Sequence, residues 1–170
     1  MTKARRDKGF SLAEVLVAIL ILAMVTAVAA AGIPAAIRAY RGAVDISNAE
    51  LLMTTTTNTL RNHLDLAKGV TVSNNSGTTI TYRASDGSTT EIRSSAGQPV
   101  KISEYVGYNS ADDPGVVRDL VSYETASKEM YVTIGSAAWA DGVLTLTDLE
   151  VHKGTDVLIT VDSYVIKTEK

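Results

Sequence analysis

The chain has 170 residues, 45% of them hydrophobic, with sixteen basic and nineteen acidic side chains and a formal net charge of -3. That length suits one ordinary domain plus an additional segment, and the mild acidity gives no global electrostatic pull toward nucleic acid. With no cysteine and only His63 and His152, the composition excludes a disulfide framework and a thiolate metal site and argues against a multi-histidine one.

Residues 1–9 are short and basic, with Lys3, Arg5, Arg6 and Lys8 against Asp7, and they end in Gly9. Their removal would leave twelve basic and eighteen acidic side chains. From Val15 to Ile33 no residue is charged, a run of nineteen positions, close to the roughly 20 apolar residues a helix needs to cross a bilayer core. The basic start places the N-terminus on the cytoplasmic side, and Arg38 and Arg41 beyond the far end oppose it with fewer charges.

Helical spacing continues past the apolar run through Ile37, Tyr40, Val44, Leu51, Leu52, Leu60 and Leu64, and Lys68-Gly69 reads as a stop. A long helix is therefore expected over residues 10–69, its half at 15–33 spanning a membrane. Gly32-Pro34 and the run Thr54-Thr55-Thr56-Thr57 are its weak points. Two alternatives stand there: a break at Pro34, or a kinked but continuous rod.

After Gly69 the pattern alternates. Thr78–Tyr82 and Thr90–Arg93 flank Ala84-Ser85-Asp86-Gly87-Ser88, a hairpin with an Asp-Gly turn. Val100-Lys101-Ile102, Met130–Ile134, Val143–Val151 and Val157–Lys167 are further strands, while Val116–Tyr123 fits a strand or a short helix. The expected fold class is α+β, a long N-terminal helix packed on an antiparallel β-rich domain at 70–170.

Glu14 lies near the start of the apolar segment, with no basic residue after it until Arg38. An acidic side chain at the centre of a membrane helix costs about 2.5–3.5 kcal/mol on insertion scales, less near the boundary, and usually has a partner. Phe10, Ser11, Val17 and Ala18, its helical neighbours, carry no charge. A cut after Gly9 would create a partner, the α-amino group of Phe10 on this chain or on a staggered neighbour.

In Gly9, Phe10, Ser11, Leu12 and Glu14, followed by the uninterrupted apolar run, the sequence resembles type IV pilins and the pseudopilins of secretion and DNA-uptake machines. The resemblance covers about residues 8–37. It implies cleavage after Gly9 by a prepilin peptidase, N-methylation of Phe10, and pairing of Glu14 with a neighbour's amine during assembly. It also implies, as partners, other pilin subunits and an assembly platform with its ATPase. The protein would sit in the bacterial cytoplasmic membrane as a single-pass prepilin before joining a cell-surface filament. Glu14-Val15-Leu16-Val17-Ala18-Ile19 looks more like a minor pilin or pseudopilin than a major one. Ala13, the position of Pro34 and the absence of a cysteine pair depart from the usual pattern.

Competing readings are a secretory signal peptide cut near Ala29-Ala30-Ala31, releasing an enzyme, and a plain anchor carrying an adhesion or binding module. No Walker loop, dinucleotide-binding glycine pattern or zinc motif is present, so no enzyme activity and no cofactor are expected. His63 is expected to face solvent on the helix, His152 to lie in an exposed turn, and Trp139 to belong to the core. Asp112-Asp113-Pro114-Gly115 reads as an acidic turn rather than a calcium site. Tyr105, Tyr108 and Tyr123 are scattered aromatic residues that need no partner.

Overall fold

A computed structural model describes residues 11–105, 116–121 and 129–168. Among these residues one helix, α1 (Leu12–Leu64), precedes eight strands. These are β1 (Lys68–Ser73), β2 (Thr78–Arg83), β3 (Thr89–Ser94), β4 (Lys101–Tyr105), β5 (Val116–Asp119), β6 (Met130–Ala140), β7 (Val143–Lys153) and β8 (Asp156–Lys167). The fold class is α+β, as expected. The chain divides at Ala43/Val44 into two units, to both of which α1 contributes.

Within the first unit α1 runs through Pro34 without ending. Proline removes one donor, whereas ending a helix leaves up to four backbone groups unpaired at each new terminus. Few polar side chains are available in this segment to receive them. The helix is long and apolar enough to cross a membrane, and none of its most apolar stretch is buried.

The second unit has a conventional interior. Ala49, Leu52, Met53, Thr56, Leu60 and Leu64 form the buried face of the helix, spaced by three and four residues. The threonine run stays helical. Thr55 Oγ1 donates to the Leu51 carbonyl at 2.8 Å and Thr57 Oγ1 to that of Met53 at 2.9 Å. These back-bonds satisfy the hydroxyls of two half-buried threonines, and packing of the buried face outweighs the weak propensity. Thr56 Oγ1 is buried and has no hydrogen-bond partner among the described residues.

The helix stops at Leu64, short of the expected residue 69, and Lys68 already opens β1. Gly69 (φ 61°) does not cap the helix. Its left-handed backbone sits at the register shift between Lys68 and Thr71, where β1 pairs with β2. A glycine after an amphipathic run fits either role, so residue pattern alone does not distinguish β1 from the end of the helix.

Strands β1 to β5 form one antiparallel sheet in chain order, and β6, β7 and β8 form a second. Val116–Asp119 resolves as a strand. Ile80, Ile92 and Ile102 align across β2, β3 and β4 and are buried. In the second sheet Ile134–Leu149–Val161 and Ala137–Leu146–Tyr164 make inward rows. Asp141 (φ 53°) and Gly142 (φ 77°) turn β6 into β7, the two left-handed positions a tight hairpin requires.

The sheets meet at the β6 edge, where side chains take the place of a backbone ladder. Ser94 Oγ accepts the Ile134 N–H at 2.7 Å, and Thr78 Oγ1 donates to the Gly135 carbonyl at 3.0 Å. Asn74 bonds both main-chain groups of Ala137, its Nδ2 donating at 2.9 Å and its Oδ1 accepting at 3.2 Å. Ser94 and Thr78 are buried, so these bonds satisfy groups that water does not reach. A direct main-chain bond also joins them, from the Val100 N–H to the Val132 carbonyl at 3.2 Å.

Candidate functional site

Of the three residues that the sequence singles out, Glu14 is described, while Gly9 and Phe10 lie outside the described residues. Glu14 occupies the first turn of α1. Ser11, immediately before the helix, donates its main-chain N–H to Glu14 Oε2 at 2.9 Å. In return the Glu14 N–H donates to Ser11 Oγ at 3.3 Å. This reciprocal pair is a capping box, which satisfies two main-chain donors at a helix start. A carboxylate in the first turn also complements the positive end of the helix dipole.

The absence of a local partner, expected from the uncharged neighbours of Glu14, is thus corrected. The partner is the Ser11 peptide N–H rather than a charge. The signal was present in the spacing Ser11-x-x-Glu14, which is a helix-start signature when an apolar run follows.

The box leaves Glu14 accessible. Two shallow grooves run beside Glu14 along the helix. One, of about 360 Å³, is lined by Ala13, Val17, Ala18 and Ile21, and the other, of about 350 Å³, by Val15, Ala18, Ile19 and Leu22. Ala13 and Ala18 are small, and small residues let a second helix approach closely.

The remaining sequence candidates fall elsewhere. His152 is half-buried within β7, not in an exposed turn, because β7 extends to Lys153. Its ring stacks on Tyr131 at 5.0 Å between centroids, and its Nε2 lies 3.0 Å from Thr133 Oγ1 and 3.1 Å from Glu150 Oε2. The acid and the hydroxyl meet the same ring nitrogen, unlike the arrangement that activates a nucleophile, in which each engages a different nitrogen. His63 is half-buried on α1. Trp139 is not a core residue. It is 39% exposed, at the end of β6, with Nε1–H donating to Thr168 Oγ1 at 3.1 Å. Tyr105 ends β4, while Tyr108, Tyr123 and Asp112-Asp113-Pro114-Gly115 lie outside the described residues. Among the described residues no group of three or more His, Asp or Glu side chains is placed to hold a metal ion.

Comparison with curated proteins and with solved structures gives no match. Comparison with protein families matches the prokaryotic N-terminal methylation motif over residues 4–30, which include Gly9, Phe10, the capping box and most of the apolar run. The chain carries the type IV prepilin-like signature, which supports a pilin-like or pseudopilin precursor.

Proposed function

We propose that this protein is a non-enzymatic subunit of a type IV pilus-like filament, of the minor pilin or pseudopilin kind. A prepilin peptidase cuts between Gly9 and Phe10, and Phe10 becomes N-methylated. Before assembly the helix at 15–33 anchors the chain in the cytoplasmic membrane with its N-terminus inside. An assembly platform and its ATPase then draw it into a helical array with other pilins. There the apolar helix exchanges lipid for neighbouring helices, and residues 70–170 face outward.

The observation that carries this reading is the match of residues 4–30 to the methylation motif. Glu14 gives the motif a physical role. Within the monomer the capping box supplies one neutral donor to the carboxylate, which lessens the cost of holding it near the membrane boundary. An ammonium group from a neighbour forms a stronger, charge-assisted bond, and the small Ala13 and Ala18 leave room for it. Only the correct stagger of two helices brings that amine to Glu14, so the pair sets the register of assembly.

Mass spectrometry of the protein purified from its host tests the reading. A mature chain beginning at methylated Phe10 is expected, and a terminus near Gly32 would overturn it. Glu14→Ala is expected to leave membrane insertion intact while impairing incorporation into filaments.

A further inference from the structure

Within the second unit, the sheets differ in how their edges end. The first sheet stops at β1 and β5, strands of six and four residues, and the second at β8, a strand of twelve. The opposite edge of the second sheet, β6, is met by Ser94, Thr78 and Asn74. Among the described residues no strand pairs with the outer side of β8. Short edge strands limit unwanted pairing, and β8 lacks that protection. It is rich in Val, Ile and Thr, residues that favour sheets.

The side-chain order of β8 reverses at its middle. Ile159 and Val161 lie opposite buried Val151 and Leu149, and Tyr164 and Ile166 opposite buried Leu146 and Leu144. All four belong to the core or pack against it. Thr160, Asp162, Ser163, Val165 and Lys167 are exposed. A regular strand keeps one parity inward throughout. Here β7 reverses at the same level, where Asp148 is left-handed (φ 54°). In either direction from Asp162-Ser163 the order is therefore the same: exposed, inward, exposed, inward. That order matches an antiparallel copy of itself, because opposed residues of neighbouring strands share a sheet face. A two-fold axis at this point sets Val161 against Tyr164, Thr160 against Val165 and Ile159 against Ile166. A one-residue slip would set inward residues against outward ones.

Charge favours the same direction. β8 opens at Asp156 and closes at Lys167, both exposed and without an ion pair among the described residues. Antiparallel copies bring the basic end of one toward the acidic end of the other, whereas parallel copies set like beside like. Space is present too. A groove of about 310 Å³ opens at the end of β8, lined by Arg61, Asp65, Val165, Ile166 and Lys167. In this register the residue brought to it is Ile159 of the second copy, which is only partly buried in its own chain.

We propose that β8 is a self-pairing edge, which joins antiparallel to β8 of a second copy about a two-fold axis at Asp162-Ser163 and makes one continuous six-stranded sheet from two chains. The contact is isologous and closes at two copies. It is therefore not the contact that repeats along the proposed filament, and it goes beyond that reading without depending on it. Main-chain bonds supply the affinity, while the reversal in side-chain order fixes the register.

Because the chain has no native cysteine, disulfide trapping in the full-length protein in detergent tests the pairing. Thr160 and Val165 are exposed, so their replacement leaves the core intact. Chains carrying Thr160→Cys mixed with chains carrying Val165→Cys should form a linked dimer on mild oxidation. Either variant alone should not, since its two cysteines would lie more than about 10 Å apart along the strands, beyond the reach of a disulfide. Asp162→Asn removes the like charges that meet at the axis and should raise the dimer yield about two- to fivefold in the mixed-cysteine background. A mixture that does not link, or single variants that link as readily, would overturn the pairing. Unchanged dimer yield with Asp162→Asn would overturn the position of the axis. None of these outcomes bears on the N-terminus of the mature chain, so this inference and the filament reading fail separately.

Discussion

Leucines of the same helix meet opposite fates in the two units. Leu22 is 63% exposed in the first, whereas Leu60 is fully buried in the second. Both residues favour helix to the same degree, so propensity does not separate them. The difference lies in where each finds its apolar partner. Leu60 joins strand residues in the interior of the domain, while Leu22 has no apolar cover among the described residues. One region is stabilised by folding, and under the proposed function the other gains its stability from insertion and assembly.

That contrast can be broken most directly with paired truncations. Leu60→Ala should destabilise the domain by about 2–5 kcal/mol, as buried leucine truncations do, read by denaturant unfolding of the full chain in detergent. Leu22→Ala in the same assay should change domain stability by less than about 0.5 kcal/mol. Equal effects would mean that the apolar helix and the domain unfold as one.

A smaller effect is expected at the sheet junction. Ser94→Ala leaves the Ile134 N–H buried without its acceptor, at a cost of about 1–3 kcal/mol. The loss should register in domain unfolding and leave leader cleavage untouched. Smaller again is Ser11→Ala, which removes one half of the capping box. Helix start should weaken by about 1 kcal/mol, visible as faster amide exchange in the first turn, with the domain unaffected. Incorporation into filaments should fall less than with Glu14→Ala, which also removes the charge.

The smallest effect concerns the turn after β2. The Ser88 hydroxyl and then the Ser88 main-chain N–H donate to Asp86, holding its carboxyl below the usual value of 3.8. A depressed carboxylate contributes stability that is present above the ordinary value and lost as pH falls through the folded one. Ser88→Ala should move the Asp86 titration, followed by NMR, back up toward 3.8. The group is fully exposed, and no change in filament incorporation is expected.

Much of this arrangement was legible from residue pattern. The hairpin around Asp86-Gly87 and the strands from Met130 onward announce themselves by period-two alternation bounded by turn residues. The capping box was equally readable in Ser11 and Glu14, yet it answers to main-chain donors, which a search for opposite charges does not count. What stayed hidden depends on long-range context. Gly69 serves a bulge rather than a helix end only because β2 lies beside it. Trp139 reads as core by residue type, but at the end of β6 it bonds Thr168 from the far side of the second sheet. The division of the helix into uncovered and buried parts was visible in composition, although its boundary near Val44 was not.

The side chains along the β6 edge have a further consequence. A backbone ladder can slide by two residues and keep every side chain on its proper face, since the pleat repeats at that interval. The junction between the sheets lacks that freedom. A two-residue slip would carry Ser94 away from Ile134 and Asn74 away from Ala137 at once, leaving polar groups stranded on both sides. Three short polar side chains thus act as index pins, admitting one alignment of the two sheets where the backbone alone would tolerate several.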